Sequence, residues 1–521
     1  MRSKKNANRT LVNSHVSLDY MNELSCLLRR QLFFNQSAIK ERILKMTYPN
    51  WLTQRAYVTG NKLALSFGED NWTFAEINAI ALDYAGKLAH FGITEQSRVA
   101  LLAKSNAEAV FVMYGCLHLG CEMVMLNERL AAAELAYQIE DAGVDRVFVD
   151  AKLIEKVSAA KPVSFEQLKQ TQPAEFNLIA EWAKDRTISI MYTSGTTGQP
   201  KGVRQTAENH FSSAVSSALN LGIAPDDVWL CTVPLFHISG FSILMRSLVY
   251  GMGVRLYDKF DASSCAEELC KGHVTHSSMV GVTLDQVLRE IEQRELRVSS
   301  RFKQILAGGG PVPVSYLQRA EAHGIQVLQT YGMTETSSQT TTLQPADAKT
   351  KIGSAGKPLF LYQVKIDGAN PGEAGEILIK GPQVTPGYIG RFKERTVQQD
   401  GWLATGDIGY LDAEGFLYVV DRRSDMLVSG GENVYPAEIE NVLMAHPSVR
   451  EAGVCAMADS KWGEVPAAFV VLEDPQMLEE LSDFCRGKMA GYKVPKLFKL
   501  VDELPRNASN KLLRRELKQW L

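Results

Sequence analysis

No uninterrupted apolar run in this 521-residue sequence approaches the roughly 18 residues that a membrane-spanning helix requires, so no membrane span is expected. Charge of one sign is also missing: 56 Lys/Arg stand against 59 Asp/Glu, a net charge of −3. That balance argues against nucleic acid or an acidic membrane surface as partner. The eight cysteines include no C-x-x-C pair and no Cys/His zinc spacing. Cys116/Cys121 and Cys265/Cys270 are the only close pairs, and both fall in helix-like or helix-flanking sequence. Reduced, buried thiols in a cytoplasmic protein account for them most simply. Internal repeats and low-complexity tracts are absent. The Walker A spacing also fails: five residues after Gly195 stands Pro200, and Lys201 precedes Gly202. A P-loop kinase or NTPase is thereby disfavoured.

What is present is an ordinary globular composition, 45% hydrophobic and 22% charged, in a chain long enough for two or three domains. Residues 1–45 differ from the rest, with nine Lys/Arg against three Asp/Glu. Their most apolar patch, Leu24 to Phe34, is interrupted by Arg29 and Arg30 and makes a poor signal-peptide core. Met46 is expected to be the physiological start, with 1–45 a dispensable extension. From Tyr48 onward, strand-like runs alternate with helical patterns, among them Arg98 to Ala103, Asn106 to Leu119 and Cys121 to Leu126. Such alternation implies α/β architecture with parallel sheets covered by helices. Asp150 to Asp185 has weak periodicity and is expected at the surface. Short, Gly/Pro-rich strands from Gly353 to about Val420 suggest a β-subdomain, and a smaller α/β unit begins at Asp421. The expected division is 46–420 for a large domain and 421–521 for a small one.

The chemistry starts at Met191-Tyr-Thr-Ser-Gly-Thr-Thr-Gly-Gln-Pro-Lys-Gly-Val203. A β-like run empties into a loop of Gly, Thr and Ser that carries one Lys. Glycines let backbone N–H groups approach an anion. Hydroxyls of Thr193, Ser194, Thr196 and Thr197 add donors around Gly195 and Gly198, and Lys201 adds a full charge. Such a loop suits polyphosphate. Four further segments make sense beside it: Tyr331-Gly-Met-Thr-Glu335, Trp402-Leu-Ala-Thr-Gly-Asp407, Asp421-Arg-Arg-Ser-Asp425 with Gly430-Gly431, and Leu504-Pro-Arg-Asn-Ala-Ser-Asn-Lys511. Singly, Tyr331 would be a packing residue, Asp407 a turn former and Lys511 a solvated lysine.

Together these segments resemble the core motifs of the adenylate-forming superfamily of acyl- and aryl-CoA synthetases, luciferases and adenylation domains. The resemblance extends from about Pro49 to Leu521. It implies a large N-terminal domain hinged to a small mobile C-terminal one, and the substrates ATP and CoA with Mg²⁺. It assigns phosphate binding to Thr193–Lys201, adenine stacking to Tyr331, the α-phosphate to Thr334, and Mg²⁺ to Glu335. Asp407 and Arg422 would hold the ribose, Lys511 would drive adenylation, and Gly430 and Gly431 would line the pantetheine tunnel. Ser424 falls at the hinge. The chemistry is consistent with this, because attack of a carboxylate on the α-phosphate brings two anions together and demands neutralisation. Asn510 stands where the family usually has Gly; Asn tolerates the left-handed region, so the loop is expected intact.

For the acid, Tyr48-Pro-Asn-Trp-Leu52, Pro234-Leu-Phe-His-Ile-Ser-Gly240 and Ser429-Gly-Gly-Glu-Asn-Val-Tyr-Pro436 look most like the o-succinylbenzoate–CoA ligases of menaquinone biosynthesis. Ser239, Ser242 and Arg246 form a polar stripe at i, i+3 and i+7 on an apolar helix. A buried arginine there needs an anion, and an aromatic dicarboxylic acid offers a second carboxylate for it. The competing reading has Arg246 snorkelling or pairing with a nearby Asp/Glu. His237 is expected at the acyl pocket, against a core histidine bonded to backbone. Gly308, Gly309 and Gly310 would let an aromatic ring lie on bare backbone, against a simple tight turn. The alternatives in function are a medium-chain or aryl acyl-CoA synthetase and a non-catalytic acyl-adenylate-binding protein.

Overall fold

Two helix-covered sheets and two smaller five-stranded ones carry most of the described chain, beside a two-stranded sheet. The computed structural model describes residues 47–194, 200–310, 312–422, 425–429, 432–507 and 510–521, with backbone only at Ser194, Arg422 and Asn433. The chain divides into the units 1–48 and 49–521, and everything below concerns the second. Its first large sheet has six strands, ordered Pro200–Thr206, Thr187–Ser194, Glu122–Leu126, Arg98–Leu102, Arg146–Val149 and Val163–Ser164. All neighbours are parallel except the first pair. The second has nine strands, with a parallel centre from Gln326–Met333 through Gln304–Ala307, His276–Met279, Val228–Cys231 and Gly253–Leu256 to Leu63–Phe67. Antiparallel strands close its two edges. The α/β architecture with parallel, helix-covered sheets is therefore as expected.

Local sequence explains where the elements begin and end. Thr73 caps helix Phe74–His90 through a capping box with Glu76. Asn106 caps Ala107–Leu119, and Gly120 ends that helix at φ +79°. Helix Ala107–Leu119 is buried almost all round because it lies between other layers. Helices Ala262–Lys271, Gly281–Gln293 and Val314–Ala322 bury Leu269, Val287, Leu288, Ile291 and Tyr316 against the strands bearing Leu230, Ile305 and Val327.

One expectation fails. Asp150–Asp185 is not simply exposed: Val157, Phe165, Leu168 and Trp182 are buried, and Trp182 meets Trp51 edge-on at 4.9 Å. The segment is a chain of short pieces, Ala151–Ala160, Val163–Ser164, Phe165–Gln170 and Glu181–Ala183. Each contributes one or two anchors, so no period accumulates in the sequence.

The β-subdomain runs through strand Leu417–Arg422, which pairs with Trp402–Leu411. The C-terminal sheet starts at Leu427–Ser429 and is built on the long hairpin Val449–Asp459/Gly463–Leu472. It has its own cores on both faces, one around Ile439, Leu443 and Val470, the other around Phe469, Leu504 and Leu517. Arg514 is the electrostatic centre there, paired with Asp421 at 3.0 Å, Asp425 at 3.1 Å and Glu440 at 2.6 Å. Its guanidinium therefore stays charged, its pKa raised by those carboxylates against the opposing effect of burial. Arg289 of the large domain reaches Glu473 of the small one at 2.9 Å.

Three buried histidines give the fold a pH dependence. Burial holds His118 down to about 4, His210 to about 3 and His276 to about 4. The unfolded chain takes up protons on these rings below about pH 6.5, while the folded chain refuses them. The unfolded state thus binds more protons between about pH 6.5 and 4, and stability falls as pH drops through that window. Urea unfolding midpoints should be lower at pH 5 than at pH 7. Replacing His210 by Asn should flatten that difference.

Candidate active site

The phosphate segment is the tip of an antiparallel hairpin. Strand Thr187–Ser194 pairs with Pro200–Thr206, setting Thr193 opposite Lys201. Gly195, Thr196, Thr197 and Gly198 lie outside the described residues, as does the side chain of Ser194. The structure corrects one point of the sequence reading. Lys201 is not a loop residue but a member of the return strand, and its side chain is buried. Its ammonium sits 5.7 Å from the ring centroid of Tyr388 and 5.6 Å from that of Phe392. Burial lowers its pKa and Arg395 adds to this, while Glu335 works in the opposite direction.

Tyr388 links that lysine to the acidic group. Its hydroxyl donates to Glu335 Oε1 at 3.3 Å. Glu335 is buried on the short turn Thr334–Thr336, whose carbonyls are pinned from two directions. Gln205 Nε2 of the phosphate hairpin donates to Thr334 O at 3.2 Å, and Thr385 N donates to Glu335 O at 2.8 Å. Lys201, Thr334 and Glu335 are thus brought together by residues that the motifs do not include.

Tyr331 and Asp407 form the second cluster. The Tyr331 hydroxyl donates to Asp407 Oδ2 at 2.7 Å. Asp407 is buried, follows Gly406 at φ +75°, and lies opposite Arg422 in the strand pair. Only the backbone of Arg422 is described. Gly332, between Tyr331 and Thr334, is sterically required: a Cβ there would stand 1.7 Å from Ser338 O. The Gly308–Gly310 run divides by cause. A Cβ at Gly308 would meet Thr330 Cγ2 at 2.8 Å, and Gly309 has φ +81°. Only Gly310 faces open space.

His237 and Arg246 lie on one helix, Ile238–Tyr250, with His237 at its N-cap. Burial first, then the Arg129 charge, hold His237 down to about 4, so its ring is neutral. Its Nε2 is buried without a partner among the described residues. Arg246 is 1% exposed, so it does not snorkel. Its Nη2 donates to Ser338 Oγ at 3.1 Å, and its guanidinium lies 5.4 Å from the Trp229 ring centroid. Among the described residues no carboxylate pairs with it, its Nε has no partner, and burial lowers its pKa. Ser338 occupies a left-handed backbone at φ +102°.

Lys511 is on the small domain, exposed, in the loop between Arg506 and Leu512. Its N–H donates to Asn507 Oδ1 at 2.9 Å, and Asn507 N–H donates to Lys511 O at 2.8 Å. Asn510 takes φ +61°, as its substitution for glycine required. Ser424, Gly430 and Gly431 lie outside the described residues. Sequence reasoning missed Tyr388, Gln205, Ser338, Trp229 and Gly332. The run Thr385-Pro-Gly-Tyr388, a turn signal ending in an aromatic, was the one available hint of Tyr388.

A family model described as AMP-binding enzyme matches residues 52–389, and the AMP-binding enzyme C-terminal domain matches 438–511. The chain belongs to the AMP-binding enzyme family. It is 46% identical over 477 residues to the 2-succinylbenzoate–CoA ligase of Bacillus subtilis, covering 90% of this chain and 97% of that protein. Identity to the Geobacillus kaustophilus ligase is 48% over 484 residues, with 91% and 98% covered. A solved structure of the o-succinylbenzoate CoA synthetase from Bacillus subtilis holds the acyl-adenylate intermediate. It matches with a TM-score of 0.85 at 45% identity, covering 91% of this chain and 98% of that one. The same protein with ATP and magnesium ion also gives 0.85, at 44% identity and 91% and 100% coverage. A double mutant of it bound to a CoA product analogue gives 0.70, at 44% identity and 91% and 98% coverage.

The glycine geometry separates two substitutions. Gly332→Ala forces a methyl group into a backbone carbonyl, so the Tyr331–Glu335 segment must shift. Gly491→Ala, on the small domain and outside every site segment, meets no described atom. Adenylate formation should fall by roughly a hundredfold or more in the first variant and stay within about threefold of wild type in the second, measured by pyrophosphate release.

Proposed function

We propose that the chain joins o-succinylbenzoate to CoA in two steps, through an acyl-adenylate. The substrate carboxylate attacks the α-phosphorus of ATP and pyrophosphate leaves. The CoA thiol then attacks the acyl carbon, AMP leaves, and a proton is released. The observation that carries the choice of acid is Arg246, a guanidinium buried without a carboxylate partner among the described residues. An ion in that position needs an anion to offset its desolvation. A succinyl chain and a ring carboxylate on one aromatic acid supply one group to activate and one to hold. The identities of 46% and 48% to 2-succinylbenzoate–CoA ligases over nine-tenths of the chain support the same reading.

The site residues divide the work. Thr193, Ser194, Gly195, Thr196, Thr197, Gly198 and Lys201 hold the β- and γ-phosphates. Tyr331 stacks on adenine while Asp407, with Arg422, holds the ribose. Thr334 takes the α-phosphate. The buried carboxylate of Glu335 suits a hard cation that keeps most of its ligands from phosphate and water. Mg²⁺, when bound there with ATP, neutralises phosphate charge. Lys511 brings a point charge between acid and phosphate at the moment negative charge concentrates. His237, neutral at working pH, lines the acyl pocket with Gly308, Gly309 and Gly310.

The domain arrangement fits this chemistry. Residues 46–420 form the ATP- and acyl-binding domain, 421–521 the small mobile domain, and 1–45 an extension outside both. Ser424 is the hinge, and Gly430 and Gly431 line the CoA path once the small domain has turned and withdrawn Lys511. Among the described residues no helix is long and apolar enough to cross a membrane. The seven described cysteines are free thiols, which supports a cytoplasmic setting.

Incubation with ATP, CoA and o-succinylbenzoate should give a product with the mass of the mono-CoA thioester, plus AMP and pyrophosphate. No such product from this acid, with efficient turnover of a medium-chain or simple aryl acid instead, would reject the assignment. Arg246→Ala should lower kcat/KM for o-succinylbenzoate by about a hundredfold and leave benzoate-type monoacids little changed. Equal loss on both would remove Arg246 as the clamp.

A further inference from the structure

We infer that a buried hydrogen-bond chain, His210–Ser189–Gln205, sets the Thr334–Glu335 turn against the phosphate hairpin and so tunes binding of the metal–nucleotide complex. The inference rests on the proposed roles of Thr334 and Glu335. Its members come from three elements. His210 is on helix Ala207–Leu221, Ser189 is on the outgoing strand of the hairpin, and Gln205 is on the return strand. All three are buried. The Ser189 hydroxyl lies 2.9 Å from His210 Nε2 and 2.6 Å from Gln205 Oε1, and Gln205 Nε2 lies 3.2 Å from Thr334 O.

Every proton in this chain has a forced position. Thr334 O is a carbonyl and only accepts, so the Gln205 amide must turn its NH₂ toward it. The amide oxygen then faces Ser189 and takes the hydroxyl proton. Ser189 Oγ, having given its hydrogen, must accept from His210 Nε2–H. Burial, with the Arg246 charge adding to it, holds His210 down to about 3, so the ring remains a neutral Nε2–H tautomer. Donors therefore point one way, from His210 to the turn, and each bond polarises the next.

The end of the chain is where the geometry bears on function. Thr334 O also accepts from Ser337 N–H at 3.2 Å, so both its lone pairs are engaged. That fixes the peptide plane between Thr334 and Glu335, from which the Glu335 side chain projects. Thr385 N–H on Glu335 O and Tyr388 Oη on its carboxylate hold the other sides. Gln205 makes its contact from the phosphate hairpin directly, whereas Thr385 is tied to that hairpin through Arg204 O. The spacing between the polyphosphate grip and the Glu335 carboxylate is thereby coupled to a buried side chain. Gln205 is a positioning residue, since it touches neither substrate nor metal.

The test uses the full-length enzyme and MgATP. Gln205→Met keeps the volume and removes both bonds, whereas Ser189→Ala leaves the Gln205–Thr334 bond and removes the hydroxyl behind it, unpairing His210 Nε2–H and Gln205 Oε1. Calorimetric titration with MgATP, without acid, should show Kd raised about tenfold in Gln205→Met, the effect of one lost buried hydrogen bond. Ser189→Ala should move it about twofold to threefold in the same direction. In steady-state assays KM for MgATP and the Mg²⁺ requirement should rise while KM for the acid stays put, and Gln205→Asn should not rescue because its amide falls short of Thr334. Unchanged MgATP affinity and Mg²⁺ requirement in Ser189→Ala and Gln205→Met, with only a lower melting temperature, would show a merely structural network and overturn the inference. Should Gln205→Met fail to fold, Ser189→Ala decides, and wild-type affinity in that variant overturns it. Failure of the wild type to bind MgATP, or to turn over o-succinylbenzoate, would be a failure of the proposed function and is read separately from these ratios.

Discussion

The approach of two anions is the constraint on which the site depends. A carboxylate and a triphosphate repel each other, and the protein must hold both while presenting few charges of its own. It does so with cations kept in apolar or aromatic surroundings. Lys201 lies between two rings, close enough to Glu335 for the carboxylate to oppose the lowering of its pKa. Arg246 is buried against Trp229 and bonded to a serine. Among the described residues neither cation is neutralised by a short ion pair, so both retain field for a ligand. Arg514 is the contrast. It meets three carboxylates and is spent on tying the end of strand Leu417–Arg422 and the turn after it to helix Pro436–Leu443.

The two large sheets give that arrangement its rigidity. The hairpin Thr187–Thr206 is the edge of the six-stranded sheet, and Gln326–Met333 lies toward the edge of the nine-stranded one. Gln205 bonds from the first edge to Thr334 O at the end of the second. Asn209, on the helix after the hairpin, donates instead to Pro382 O and Val384 O of the β-subdomain. Residues such as Tyr388 reach the site from the β-subdomain because the isolated bridge between Val203 and Tyr388 brings that chain alongside the hairpin. The small domain meets the large one through Arg289–Glu473, whose partners are partly exposed and contribute little individually, and through the buried pair of Arg514 with Asp421 of strand Leu417–Arg422.

Much of this was legible in the residues. Helix starts and stops at Thr73, Asn106 and Gly120 follow from capping chemistry that acts within a few residues. The Gly/Thr loop, Tyr331–Glu335, Asp407 and Lys511 could be picked out because each motif is contiguous. The buried anchors of Asp150–Asp185 could not, since burial of Trp182 against Trp51 depends on a distant packing surface rather than on local period. Asn510 shows the favourable case: a left-handed φ was inferable from residue type alone, because few side chains other than glycine tolerate it.

The sequence by itself determined the superfamily, the nucleotide chemistry and the residue types that carry charge, because these reside in short contiguous patterns with their own local physics. Only the tertiary structure decided that Lys201 belongs to a strand, that a side chain at Gly308 would collide with Thr330, and that Arg246 is buried with no acid beside it among the described residues. Those facts depend on which atoms from remote segments meet. Burial and pairing are properties of a neighbourhood, and a neighbourhood is assembled only when the sheets close.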